Sequence, residues 1–173
     1  MILHREVIES EVKTGRIEIN PFKRYRLLEN SYVVTLGEEL LIYTGDIVDT
    51  AKENTTRKII IGHCGFVLEK GKFYVGHIAE YIGSDFYVPL LHGILSVAQL
   101  GLFIHVTANL IDIGNHCNFS LHLFATENIA VHPSMEIAQV SFWLPIGEKK
   151  LYSGKYKNVK GAAASQSYKH AGT

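Results

Sequence analysis

The apolar positions change period once along the chain. Over residues 2–14, Ile2, Leu3, Val7, Ile8 and Val12 recur at helix-like spacing and Gly15 follows as a stop, so the spacing predicts one short N-terminal helix. Beyond it come short runs rich in Ile, Val, Tyr and Phe, separated by turn punctuation: Asn20-Pro21, Gly37-Glu38, Gly62, Lys70-Gly71, Gly83-Ser84-Asp85 and His132-Pro133. Many short strands at this spacing predict a mainly β domain of sandwich or barrel-like jelly-roll type. The polar run 49–57, DTAKENTTR, has no periodicity and reads as a surface loop. Residues 88–113 are apolar enough to raise a membrane question, but Pro89, His92, Gly93, Gln99, Gly101, His105 and Asn109 interrupt them, which suits buried strands and turns better than a lipid-facing helix.

The run 118–123, NFSLHL, alternates without a break. Side chains on a strand alternate with period two, so Phe119, Leu121 and Leu123 share a core face while Asn118, Ser120 and His122 share the other, which must meet solvent, a partner subunit or a pocket. Residues 153–173 abandon strand patterning for a Gly, Ala, Ser and Lys tail, and such tails are as often frayed as functional.

The 173 residues suit a single domain, 1–173, able to bury roughly 70% of the surface of its unfolded chain. Lys plus Arg and Asp plus Glu balance at 17 each, so no net field draws in nucleic acid or an anionic membrane, and a small anion would need locally placed donors. Cys64 and Cys117 lie far apart in no Cys-x-x-Cys arrangement, and residues 1–13 contain no apolar signal segment; both point to a cytoplasmic protein with free thiols. Phosphate-cradling, dinucleotide-binding and nucleophile-elbow motifs are absent, as is the zinc deaminase pattern. His116-Cys117 with His122 is the tightest group of possible metal ligands, yet neighbours on a strand point to opposite faces and no second close pair completes a set of four, so no metal site is expected.

Six segments, in order and at proper intervals, resemble the dCTP deaminase and dUTPase family: MILHREVIESEVKTGRIEINPF, ENSYVVTLGEELLIY, FVLEKGKFYVGHIAEYI, LGLFIHVTANLIDIG, IAVHPSMEIAQVSFW and YSGKYKNVKGAAASQSYK. The resemblance covers nearly the whole chain. It implies a dUTPase-type, β-clip-like fold with a short N-terminal helix, assembled as a homotrimer. A pyrimidine deoxynucleotide would bind between subunits, with magnesium carried on its phosphates rather than by the protein, and residues 153–173 would fold over it as a lid. Members deaminate dCTP, hydrolyse dUTP, or do both.

Carried over residue by residue, His105, Val106, Thr107 and Ala108 match the segment beside the base, and Asp112 matches an acidic residue close to the sugar. That carboxylate could accept from a sugar hydroxyl or orient a water, or it could simply close a turn before Gly114. Lys155, Tyr156, Gly161 and Ser165 stand where the lid meets the phosphates. Two departures are severe. Where the family has Gly-Arg-Ser-Ser, two residues and Arg, this chain reads GILSVAQ: Ile94, Leu95 and Gln99 replace two arginines and a serine, and Ser96 remains. Loss of the guanidinium forks should weaken triphosphate binding. His122 stands in place of the general acid/base glutamate, and a neutral imidazole has one acceptor where a carboxylate has two oxygens. Cys117 also replaces a glycine.

Three functions follow. The first is a nucleotide-binding relative whose ordinary deamination is lost, a pseudoenzyme that leaves dCTP and dUTP unchanged. The second is an active deaminase or nucleotidohydrolase using His122 and Asp112. The third is a structural trimer subunit whose pocket is filled by Ile94 and Leu95.

Overall fold

The computed structural model describes residues 1–105 and 107–170. In chain order the elements are α1 (Arg5–Lys13), β1 (Glu18–Asn20), β2 (Tyr32–Thr35), β3 (Glu39–Tyr43), β4 (Thr56–Ile60), β5 (Phe66–Leu68), β6 (Phe73–His77), β7 (Tyr81–Gly83), β8 (Val88–Gly93), α2 (Leu95–Ala98), β9 (Leu102–Phe103), β10 (Ser120–Ala125), β11 (Ile129–Val131) and β12 (Glu136–Trp143), with 3-10 turns at Arg24–Arg26 and Ser167–His170. A five-stranded sheet runs β4-β3-β6-β10-β9 and a three-stranded one β2-β12-β8, with two-stranded ribbons β1-β7 and β11-β5. The pairings are antiparallel. This is the mainly β, jelly-roll-like architecture that the strand spacing predicts. One core holds it, with Tyr32, Tyr74, Phe119, Phe142, Leu36, Leu40 and Ile78 fully buried. No helix of the described residues is long and apolar enough to cross a membrane.

Three local expectations are corrected. The N-terminal helix begins at Arg5, not Ile2: His4 is extended, and Ile2 bridges Trp143 on the β12 edge. The loop expected at 49–57 ends sooner, because Thr56 and Arg57 pair with Tyr43 and Ile42 in β4. Gly83, read as turn punctuation, is a strand residue of β7; a Cβ there would run into the His116 ring and backbone, so the close approach of the 114–117 segment requires glycine.

The strand bearing His122 is as the alternation predicts. In β10, Leu121, Leu123 and Ala125 are buried, with Phe119 just before it. Ser120 lies opposite His77 and His122 opposite Val75 of β6, so the other face of β10 joins the matching face of β6. Elsewhere the Arg26 guanidinium pairs with the buried Glu80 carboxylate, which also accepts from the Thr35 backbone N–H and hydroxyl at 2.9 Å each. A buried charge needs partners of this kind, and here the pairing ties the Arg24–Arg26 turn to β2.

Candidate functional site

The polar face of β10 is half-buried at Ser120 and His122 and exposed at Phe124. It forms the floor of a cavity of about 730 Å³, within the range of small-molecule sites. Asn118, Ser120, His122 and Phe124 come from β10 and the residues before it, and Phe73 and Val75 from β6. His105, Thr107, Ala108 and Asp112 line one side, and the tail closes over the opening through Tyr152, Tyr156, Val159 and Ala163 to Ser165.

The tail is held by bonds to distant parts of the chain. The Tyr152 N–H donates to the Ile113 carbonyl at 2.8 Å, and the Asn118 N–H to the Val159 carbonyl at 3.1 Å. The Gly161 N–H donates to Asn118 Oδ1 at 3.1 Å, and the Ser165 N–H to the Tyr43 hydroxyl at 3.0 Å. Within the tail, the Gln166 N–H donates to the Tyr156 hydroxyl at 2.8 Å and Lys155 Nζ to the Gln166 carbonyl at 2.7 Å. These contacts set aside the frayed reading for the described part of the tail.

Two stacked imidazoles occupy the floor. The rings of His105 and His122 lie 4.5 Å apart at 11°, and Phe73 packs against His122 at 6.1 Å. The Ala108 carbonyl accepts from His105 Nε2–H, which leaves His105 Nδ1 a bare acceptor, buried without a partner among the described residues. Burial, and then the neighbouring His105, push His122 down to about 4, so it is neutral near pH 7. Burial also lowers His105 despite its carbonyl partner. Burial raises the Cys117 thiol, another lining group, to about 12, so it stays protonated.

Of the residues singled out from sequence, His105, Thr107, Ala108, Asp112, His122, Tyr156 and Ser165 meet in this cavity. Asp112 lines the cavity, and its backbone carbonyl closes a turn by accepting from the Asn115 N–H at 3.1 Å. Lys155 and Gly161 lie in the lid without lining the cavity. Ser96 and Gln99 fall on the exposed side of the α2 turn, outside the single-chain cavity. Val106 lies outside the described residues. Within the single chain neither Ile94 nor Leu95 fills the cavity: Ile94 packs on the core and Leu95 is 72% exposed. Sequence reasoning missed Asn115, which is buried and whose Oδ1 is unpartnered beside the cavity, and Tyr43, brought in from β3 with no local signal.

The cavity thus joins a β-sheet floor bearing titratable side chains to a C-terminal tail packed over it. The chain belongs to the dCTP deaminase-like family, whose profile matches residues 2–144. It is 42% identical over 170 residues to a protein of Clostridium beijerinckii named dCTP deaminase, dUMP-forming, covering 98% of both chains. A protein of the same name from Cytophaga hutchinsonii is 43% identical over 165 residues, covering 94% of this chain and 95% of the relative. The solved 2'-deoxycytidine 5'-triphosphate deaminase of Agrobacterium tumefaciens shares the fold, with a TM-score of 0.67 at 16% identity; the match covers 83% of this chain and 48% of that one. These relatives give no support to the loss of activity expected from Ile94 and His122, and they favour the active alternative.

Proposed function

We propose that this chain is an active deaminase of pyrimidine deoxynucleotides, with His122 relaying the proton and Asp112 orienting the sugar or the attacking water. The observation that carries the reading is the convergence of His105, His122, Asp112 and the lid on one cavity. The names of the full-length relatives support it. A neutral imidazole can take a proton from a water poised over the ring and return it to the departing ammonia. Thr107 and Ala108 flank the base, and Lys155, Tyr156, Gly161 and Ser165 close the lid. Magnesium, where a phosphorylated ligand brings it, would stay on the phosphates.

The working unit is proposed to be a homotrimer. Leu95, Leu100, Phe103 and Leu110 are each more than half exposed in the single chain, and an apolar surface of this kind calls for a partner. Ser96 and Gln99 lie beside it, so a neighbouring copy is the route by which they would reach a ligand.

The test is ammonia release from deoxycytidine and its mono-, di- and triphosphates, with pyrophosphate release from dUTP followed in parallel. Ammonia is expected from at least one cytosine compound, and His122→Ala is expected to lower the rate by at least about 100-fold. Saturable binding without turnover across the set would instead support the binding-only reading.

A further inference from the structure

We infer that the cavity takes a weakly charged pyrimidine deoxynucleoside or its monophosphate in preference to a triphosphate, an inference that rests on the deaminase reading above. It stands first on charge. The described lining contains one carboxylate, Asp112, and no lysine or arginine. His105 and His122 bring no compensating charge, because burial keeps both rings neutral. Of the lysines adjacent in sequence to the lining, Lys155 already donates to the Gln166 carbonyl, and Lys157 and Lys160 are exposed to solvent. A polyanion entering here would lose its water and meet a like charge, and an uncompensated buried charge is costly.

It stands second on hydrogen-bonding sense. The buried polar atoms left without partners at this site are His105 Nδ1 and Asn115 Oδ1, and both are acceptors. Acceptors seek N–H and O–H donors. A cytosine amino group, a sugar hydroxyl and a water all offer them, whereas phosphate oxygens only accept. The site is therefore complementary to the base and sugar and unmatched to a phosphate chain. Outside the cavity, the segment Gly93 to Gly101, GILSVAQLG, contains no cation, so a second copy presenting α2 to the site would add hydroxyl and amide groups but no guanidinium.

The reaction this assigns is deamination, since a nucleoside has no phosphoanhydride to cleave. Water oxygen bonds to C4 of the ring and becomes its carbonyl while the C4–N4 bond breaks. One water proton ends on N3 and the other on the departing amine as ammonia, with His122 carrying a proton between them.

The experiment is calorimetric titration of the full chain with deoxycytidine, dCMP, dCDP and dCTP, alongside ammonia release from each. Dissociation constants are expected to rise along the series, by at least about tenfold between dCMP and dCTP, with kcat/KM falling in the same order. Lower ionic strength should widen the gap because repulsion from Asp112 is then less screened, and Asp112→Asn should narrow it. Equal or tighter binding of dCTP, or a gap that closes at low salt, would overturn the inference while leaving the deaminase reading in place. No binding by any member would overturn both.

Discussion

At the scale of the residue, the proposed chemistry turns on His122. Its ring is stacked on His105 and held neutral by burial, so it is available as a proton acceptor near pH 7 without prior loss of a proton. The same burial makes stability depend on pH. Folded His122 binds its proton more weakly than the ordinary imidazole of the unfolded chain, whose pKa is 6.5, and His105 and His92 shift in the same direction. Their contribution is therefore fully present above the unfolded value and is lost as pH falls towards about 4. Urea midpoints should drop over that window. His122→Phe, which keeps a ring in the stack but cannot titrate, should flatten the profile; an unaltered slope would contradict the assignment.

At the scale of the element, β10 and the lid make the site, and they differ in how far the sequence reveals them. NFSLHL announces its two faces because a period-two pattern is local, and the structure places Phe119, Leu121 and Leu123 in the core as that pattern requires. The lid is illegible by such means. Its anchors are hydrogen bonds to Asn118, Ile113 and Tyr43, between 39 and 122 residues away along the chain, and no local periodicity encodes them. The α2 turn was missed because four helical residues are too few to show a period, and the start of α1 was misread because Ile2 serves an edge bridge instead of the helix face. Tyr43→Phe tests the lid directly: it removes the acceptor of the Ser165 N–H while keeping the ring. Loss of that bond is expected to weaken ligand binding by about 1 kcal/mol and to speed amide exchange at Ser165, with little change in the melting temperature. Undiminished protection at Ser165 would mean that the tail is held by other contacts.

At the scale of the whole molecule, strand count and turn spacing were enough for the mainly β class, and motif order was enough for the family, because both are spread along the chain. The depth of the cavity, its charge and its unpartnered acceptors depend on side chains gathered from β3, β6, β10 and the tail, so they emerge only in three dimensions. The exposed Leu95, Leu100, Phe103 and Leu110 are the unfinished part of the single chain. Light scattering on the purified protein is expected to give three times the chain mass, and Leu95→Glu with Leu100→Glu is expected to reduce it; a monomeric wild-type protein would contradict the trimer. The central claim, that ligand, imidazole pair and lid share one cavity, is tested most directly by following the imidazole nitrogen resonances during titration with deoxycytidine or dCMP. The signals of His105 and His122 should move together and saturate with binding, while those of the exposed His4 and His63 stay still. Binding that leaves His105 and His122 undisturbed would contradict the account.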